Sequence, residues 1–166
     1  MVFNAFHPLT HSWFEETLGQ PTAAQKEAWP AIQQGRNTLI AAPTGSGKTL
    51  AAFYVSIDRL VQKALNHELE SSTRIIYVSP LKALSNDIQR NLQEPLAGIC
   101  QKLEAQGYPG IDIKVAVRTG DTSQYERQQM LKHPPHILVT TPESLYLLLT
   151  SKGGRALLGN ADTLIV

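Results

Sequence analysis

Short apolar runs alternate along this chain with longer stretches whose apolar residues recur every three or four positions. The runs have the length of strands and cover residues 37–41, 74–79, 113–117, 136–140 and 163–166. In the longest stretch, apolar side chains at positions 50, 53, 54, 57, 60 and 61 would share one face of a helix. Strands that alternate with helices are typical of an α/β fold. The pattern therefore predicts a parallel sheet flanked by helices.

Proline and capping residues indicate where two further helices begin or end. A helix is predicted over 80–91, and Pro95 is expected to end or kink it, because proline cannot donate a backbone hydrogen bond. Ser123 and Glu126 have the Ser-x-x-Glu spacing of a capping box. A short helix is therefore predicted to start there.

The organisation of the chain predicts one incomplete domain. Residues 1–35 contain no strand pattern, and we interpret them as a helical segment that belongs to the same domain as the rest. Residues 36–166 carry the alternating pattern of strands and helices. Because the sequence stops inside an apolar run, we expect the domain to be truncated after a C-terminal strand and to belong to a longer protein.

Composition and charge exclude several classes of protein. Hydrophobic residues make up 42% of the chain and charged residues 17%, which excludes a disordered or coiled-coil protein. A net charge of +1 argues against a polybasic arm or a membrane-surface protein, but it allows local contacts to nucleic acid. A signal-peptide pattern and an apolar run of about 18 residues are both missing, and Cys100 is the single cysteine. We therefore expect a cytoplasmic protein without a membrane partner.

Residues 42–49 carry the strongest chemical signal in the sequence. They read Ala-Pro-Thr-Gly-Ser-Gly-Lys-Thr, which is the pattern of a phosphate-binding loop between a strand and a helix. Gly45 and Gly47 allow backbone N–H groups to converge on an anion, and the helix that follows adds its positive N-terminal end. Lys48 is expected to bind the terminal phosphates, and the Thr49 hydroxyl to bind Mg²⁺. The predicted nucleotide-binding residues of this loop are Thr44, Gly45, Ser46, Gly47, Lys48 and Thr49.

The pair formed by Thr22 and Gln25 has two interpretations. Its spacing is that of a capping box, in which the glutamine reaches back to the threonine backbone. Alternatively, the amide of Gln25 presents a donor and an acceptor together, as the edge of adenine requires. The spacing alone does not decide between these interpretations.

Two hydroxyl–proline pairs follow predicted strands, Ser79–Pro80 and Thr141–Pro142. A hydroxyl residue at the N-cap and proline at the first helical position both favour the start of a helix. The free N–H groups of such a helix can bind a phosphate. Well-capped helices without a ligand show the same pattern, so each pair alone leaves both interpretations open.

Taken in order, these motifs resemble those of the superfamily 2 helicases. The matching segments are 20–25, which resembles the Q motif, and 42–49, 80–84, 118–121 and 141–143, which resemble motifs I, Ia, the glycine-containing loop and Ib. The sequences of residues 79–84, 89–92 and 140–145 are similar to those of the large helicase-related (Lhr) family. DEAD-box RNA helicases fit less well, because they carry Arg-Glu-Leu in motif Ia and Gly-Arg after the Thr-Pro of motif Ib.

The resemblance implies a first RecA-like domain that binds ATP and Mg²⁺, with Gln25 contacting adenine. It also implies a single strand of DNA, or of RNA or a DNA–RNA hybrid, held by its sugar-phosphate backbone. The residues implied for that contact are Ser79, Pro80, Lys82, Thr119, Gly120, Thr141, Pro142 and Glu143.

The catalytic machinery of such helicases is expected outside this sequence. The resemblance implies an Asp-Glu pair after the strand that ends near Val166, and a second RecA-like domain that supplies arginines. We therefore expect no catalytic residue within the chain, weak nucleotide binding and negligible hydrolysis by the chain alone.

Two other functional classes remain open from the sequence. A complete, non-catalytic module could bind nucleotide or nucleic acid without motor activity. A P-loop NTPase without a nucleic-acid role would bind nucleotide but no single strand. Substitution of Ser79 and Thr141 distinguishes these classes. It should weaken single-strand binding by a helicase and have no effect in a P-loop NTPase without a nucleic-acid role.

Overall fold

The computed structural model describes residues 5–80, 88–108 and 110–166. The chain divides into two units. The first contains Met1–Glu68 and Asn86–Ile111, and the second contains Leu69–Ser85 and Asp112–Val166. The predicted domain limits at residues 35 and 36 remain a prediction.

The first unit is built from helices. Its elements are α1 (Pro8–Leu18), α2 (Ala23–Gln33), α3 (Lys48–Leu65) and α4 (Glu94–Ala105), and a π-helical turn at Gln89–Gln93 leads into α4. Helix α3 confirms the helix that the apolar spacing predicts. Leu92, Ile99 and Leu103 are fully buried, so α4 and the turn before it contribute one face to the core of this unit.

An aromatic cluster forms the centre of the first unit. Trp29 of α2 is fully buried, and its ring centroid lies 5.0 Å from that of Phe6, 5.3 Å from that of Phe14 and 5.5 Å from that of Tyr54. The edge-to-face arrangements with the two phenylalanines are those that aromatic quadrupoles favour. The Trp29 indole also donates to the carbonyl of Ala51, at 3.1 Å, and so connects α2 with α3.

A buried carboxylate on α3 anchors the segment before α1. Asp58 is 3% exposed and accepts from the backbone N–H of His7 at 2.9 Å and from the Gln62 amide at 2.6 Å. The same amide donates to the carbonyl of Ala5 at 3.3 Å. Burial raises the pKa of the Asp58 carboxyl above its ordinary value, although the hydrogen bonds from His7, Thr10 and Gln62 act in the opposite direction.

This raised pKa gives a testable pH dependence of stability. A carboxyl whose folded pKa is raised contributes stability that is fully present below its unfolded pKa and is lost as pH rises through its folded pKa. Asp58→Asn retains an acceptor for the His7 N–H and removes the charge. We therefore expect the stability of the variant relative to wild type to increase as pH rises from about 4 to 8.

Urea denaturation at several pH values measures this difference in the free energy of unfolding. Glu27→Gln on α2, where the side chain is exposed, serves as the control and is expected to run parallel to wild type. If the free energy of unfolding of Asp58→Asn also changed with pH in parallel with that of wild type, the raised pKa of Asp58 would be contradicted.

The second unit is a four-stranded parallel sheet with helices. Its strands are β1 (Ile75–Val78), β2 (Val115–Arg118), β3 (Ile137–Thr140) and β4 (Thr163–Ile165), in the spatial order β2-β3-β1-β4. Its helices are α5 (Gln124–Lys132), α6 (Pro142–Thr150) and α7 (Lys152–Leu158). The predicted α/β fold with flanking helices is confirmed.

The two central strands of this sheet are buried along their whole length. Such continuous apolar strands are typical of parallel sheets that are covered on both faces. Leu138 of β3 packs in a cluster with Met130 of α5, Leu148 of α6 and Leu157 of α7. This cluster fixes the helices against the sheet and thereby positions the loops at its carboxyl edge.

One predicted strand is wrong. Residues 36–43 have no regular secondary structure, and the side chain of Leu39 is 93% exposed. A strand exists only through backbone hydrogen bonds to a neighbouring strand, so an apolar run of this length is not sufficient by itself. The other four predicted strands are present, with β2 shifted by about two residues toward the C-terminus, which is within the usual uncertainty of element bounds.

The expectation that Pro95 ends the predicted helix is also wrong, while a kink at this proline stays a prediction. Pro95 lies in the first turn of α4 and does not end the helical segment. The residues just before it, Gln89–Gln93, form the π-helical turn, so Pro95 lies where the helical hydrogen-bond pattern changes. The helix predicted over 80–91 lies mostly outside the described residues.

Candidate nucleotide and nucleic-acid sites

Residues 42–49 form a loop that leads directly into α3. Gly45 and Gly47 both have φ of +80°, in the left-handed region that glycine adopts without strain. Gly47 is the N-cap of α3, and Lys48 and Thr49 are the first two helical residues. The loop therefore places backbone N–H groups and the positive end of an 18-residue helix at one point, which favours an anion.

Lys48 folds back over this loop. Its Nζ atom donates to the carbonyl oxygen of Ala42 at 2.5 Å and to that of Pro43 at 2.7 Å. Neither acceptor carries a formal charge, so a phosphate offers the ammonium a stronger partner than the loop does. The hydroxyl of Ser46 is buried in the same loop without a hydrogen-bond partner among the described residues. A buried hydroxyl in this state is consistent with a site that is completed by a ligand.

Thr22 and Gln25 hold the loop from the side of α2. The capping box is present: Thr22 Oγ1 accepts from the Gln25 N–H at 3.3 Å, and Gln25 Oε1 accepts from the Thr22 N–H at 2.9 Å. In addition, Thr22 Oγ1 donates to the carbonyl of Ser46 at 2.7 Å, and Gln25 Nε2 donates to that of Gly47 at 3.4 Å. The capping interpretation is confirmed, and an adenine contact by Gln25 stays a prediction.

Two features require glycine at position 47, namely its positive φ and the close packing around it. A Cβ atom added at Gly47 would lie only 2.5 Å from Gln25 Nε2, which is closer than atoms pack. Any other residue at position 47 would therefore displace the Gln25 amide. Sequence reasoning did not find these contacts between α2 and the loop, because they join residues more than 20 positions apart.

Three of the predicted nucleic-acid segments meet at the carboxyl edge of the sheet. Ser79 follows β1, Thr119 follows β2 and Thr141 follows β3. The Ser79 N–H donates to the carbonyl of Thr140 at 3.1 Å, and the Thr140 hydroxyl donates to that of Arg118 at 2.8 Å. Since the strands are parallel, their carboxyl ends share one edge, and the hydrogen bonds fix the three segments side by side. Lys82 lies outside the described residues.

The N-terminus of α6 has the capped form that the sequence predicts. Thr141 is its N-cap, 5% exposed, and its hydroxyl accepts from the Ser144 N–H at 3.3 Å. Pro142 occupies the first helical position and Glu143 the next, with both side chains exposed. The helix end thus opens at the same edge as the loops after β1 and β2.

The turn between β2 and α5 is held by its own side chains. The Thr119 N–H donates to Thr122 Oγ1 at 2.9 Å, and the Asp121 N–H donates to Thr119 Oγ1 at 3.3 Å. Helix α5 then starts with the predicted capping box of Ser123 and Glu126. The hydrogen bonds from Ser123 hold the pKa of the Glu126 carboxyl below its ordinary value, so this carboxylate stays charged at the helix start.

Two arginines flank this turn, and sequence reasoning left both out of the candidate site residues. Arg118 ends β2, and Arg127 lies in the first turns of α5, where its Nη2 donates to the carbonyl of Gly120 at 2.9 Å. Burial, together with the nearby charge of Arg127, lowers the pKa of the Arg118 guanidinium. The position of Arg127, four residues after the N-cap Ser123, was a usable signal, because such a side chain lies beside the cap.

None of the described helices is both long and apolar enough to cross a membrane.

Similar proteins are found by sequence and by structure. One relative is a Lhr helicase of Mycolicibacterium smegmatis, which is 51% identical over 97% of this chain. Another is the ATP-dependent helicase Lhr-Core of Methanothermobacter thermautotrophicus, which is 48% identical over 99% of this chain. The chain spans 10% of the length of the first and 19% of the second.

A solved structure is similar over almost the whole chain. The Mycobacterium smegmatis helicase Lhr bound to ssDNA and AMP-PNP superposes with a TM-score of 0.87 and 48% identity, over 98% of this chain and 20% of that one. The fold is thus that of the RecA-like domain of Lhr, and the resemblance to the Lhr family is confirmed. The sequence model of the DEAD/DEAH box helicases matches residues 22–166, and the chain belongs to that family.

Proposed function

We propose that this chain is the N-terminal, ATP-binding part of a Lhr-like helicase, which uses ATP hydrolysis to move along single-stranded DNA. The observation that carries the proposal is the conjunction of two sites. The first unit holds a phosphate-binding loop, and the carboxyl edge of the sheet in the second unit gathers three polar segments. The Lhr protein with the similar structure was solved with ssDNA and AMP-PNP.

ATP binding is supported by the chemistry of the loop. The Lys48 ammonium donates to two uncharged carbonyl oxygens. The loop N–H groups and the N-terminus of α3 favour an anion at the same place. In our proposal the γ-phosphate replaces the two carbonyls as the partner of Lys48. Thr44, Gly45, Ser46 and Gly47 then surround the phosphates.

Mg²⁺ is proposed as the second part of the nucleotide complex. Thr49 lies in the first turn of α3, half-buried, and its hydroxyl is the residue that would bind the ion. When bound, Mg²⁺ neutralises charge on the phosphates. The donor set fits in part, because hard oxygen ligands suit Mg²⁺ and this loop provides one of them.

Catalysis itself is proposed to require the remaining domains of the parent protein. The chain spans 10 to 20% of the Lhr proteins named above. We propose that those domains supply the carboxylate pair that orients the attacking water, and the arginines that stabilise the γ-phosphate. The chain alone is then expected to bind nucleotide weakly and to hydrolyse it negligibly.

Strand binding is proposed at the edge formed by Ser79, the 119–120 turn and the N-terminus of α6. Most hydrogen bonds between proteins and nucleic acids go to phosphates and sugars, and hydroxyl side chains and helix N-termini are common donors. Gripping a strand in this way requires little net charge, which agrees with the near-neutral chain. The carboxylate of Glu143 repels phosphate, so its contact would be to a sugar hydroxyl or to a base.

Substitution of Thr141 tests the strand-binding proposal. Thr141→Ala removes a hydroxyl from the edge and also the cap of α6, which costs about 1 kcal/mol of stability. In our proposal the Thr141 hydroxyl exchanges its 3.3 Å hydrogen bond to Ser144 Oγ for one to a phosphate of the strand. We therefore expect about tenfold weaker binding of single-stranded DNA by the full-length protein. Fluorescence anisotropy with a labelled oligonucleotide measures the affinity.

The matched control is Ser151→Ala. Ser151 caps α7 by accepting from the Gly154 N–H at 3.1 Å, so its loss has a similar cost in stability, but it lies at the opposite end of α6. Ser151→Ala and Thr141→Ser are expected to bind DNA like wild type. Equal losses in Thr141→Ala and Ser151→Ala would mean that only helix stability had been measured, and would contradict the proposal.

A further inference from the structure

Arg127 lies outside the recognised motifs and forms no ion pair with any of the described residues. Its Nη2 donates to the carbonyl of Gly120, and its Nε is buried without a hydrogen-bond acceptor among the described residues. Among the described residues, the Gly120 carbonyl is the acceptor that Arg127 contacts, so Nη1 and the second hydrogen of Nη2 remain for a ligand. A guanidinium presents its donors in a planar fork that matches a phosphate.

A second positive charge, that of Arg118, lies near Arg127. The two guanidinium groups repel each other. The pKa of Arg118 is lowered mainly by burial and in part by this repulsion from Arg127. The acidic residue nearest in sequence, Glu126, is engaged by the hydroxyl of Ser123 at 2.7 Å and by its N–H at 2.9 Å. Among the described residues, neither Arg118 nor Arg127 forms an ion pair, which leaves their charges available to an anionic ligand.

Arg127 lies where the phosphates of a bound strand would pass. Its contact with Gly120 places the guanidinium at the 119–123 turn, and that turn lies at the carboxyl edge that Ser79 and Thr141 share. A strand that follows this edge would present its phosphates to the turn. The capping box of Ser123 and Glu126 leaves the start of α5 with a carboxylate, so the cationic side chain, and not the helix end, is the group that attracts phosphate there.

We propose that Arg127 binds a backbone phosphate of the single strand through its free donors, while its bond to Gly120 holds the turn in place. The inference rests on the proposed strand-binding function and assigns to it a residue outside the recognised motifs. The contact is independent of base identity, because a phosphate is the same at every nucleotide.

The dependence of binding on salt tests this directly in the full-length protein. Each phosphate contact to a single strand contributes about 0.7 to the slope of log K against log salt. Arg127→Gln retains an N–H donor for Gly120 and loses the charge, so we expect a slope reduced by about 0.7 and affinity reduced about tenfold. Arg127→Lys retains the charge and is expected to restore most of the slope.

Lys132→Gln is the matched control, because it makes the same change of charge in the last turn of the same helix, where the side chain is exposed. Its slope is expected to equal that of wild type. Two oligonucleotides of different sequence should lose equal affinity in Arg127→Gln.

The outcomes separate this inference from the proposed function. If wild type binds and Arg127→Gln keeps the wild-type slope, the phosphate contact is overturned and Arg127 only supports the turn. A reduced slope in Lys132→Gln, or a loss confined to one oligonucleotide sequence, also overturns it. If wild type binds no single strand, the proposed function fails, and the inference fails with it.

Discussion

Replacing Lys48 with alanine is expected to remove most of the nucleotide affinity of the protein while leaving its fold intact. Within the described part of the chain, the ammonium hydrogen-bonds to the carbonyls of Ala42 and Pro43 alone, and its removal takes no packing from the core. A hydrogen bond between charged groups contributes about 1.5–3 kcal/mol, and Lys48 is placed to make such bonds to the terminal phosphates. The dissociation constant for ATP should therefore rise by roughly 10- to 100-fold.

Isothermal titration with a non-hydrolysable ATP analogue measures this change. Lys26→Ala is a suitable control, because Lys26 is an exposed lysine on α2 outside the loop. It should bind nucleotide like wild type. Thermal unfolding of both variants should match that of wild type, and unchanged nucleotide binding by Lys48→Ala would refute the role assigned to Lys48.

Trp29→Ala is expected to cause the largest loss of stability among single substitutions in the first unit. The side chain is fully buried among Phe6, Phe14 and Tyr54, and its indole N–H bonds to Ala51. Truncating a buried tryptophan costs about 3–5 kcal/mol through lost burial and the cavity that remains. The Ala51 carbonyl belongs to the helix that follows the phosphate-binding loop, so the substitution also weakens the junction of α2 and α3.

Chemical denaturation gives the change in the free energy of unfolding. Trp29→Phe keeps an aromatic ring in the cluster and should recover much of the loss. Tyr125→Ala truncates an aromatic side chain that is 71% exposed, and its effect should stay within about 0.5 kcal/mol. A loss of similar size in Trp29→Ala and Tyr125→Ala would contradict the central place of Trp29 in the core.

Features that depend on a few neighbouring residues could be predicted from the sequence. The loop 42–49, the capping boxes at Thr22 and Ser123 and the cap at Thr141 each follow from local backbone chemistry. Four of the five predicted strands are also present, and the two central ones, β1 and β3, are buried along their whole length, as continuous apolar runs indicate.

Features that depend on partners distant in sequence could not be predicted. The run 37–41 has the composition of a strand, but whether it pairs is decided elsewhere in the chain. The bonds of Thr22 and Gln25 to the loop carbonyls, and that of Thr140 to Arg118, join residues 22 to 24 positions apart. Pattern and spacing indicate which residues are polar, but they do not indicate which of these meet.

Hydrolysis of ATP by the full-length protein, measured with and without single-stranded DNA, tests the central claim most directly. Our account predicts that the strand increases the rate of hydrolysis and that Lys48→Ala abolishes it. It also predicts that Thr141→Ala and Arg127→Gln require more DNA to reach half of the maximal stimulation. A rate of hydrolysis that is the same with and without DNA, at DNA concentrations well above those needed for binding, would contradict the account.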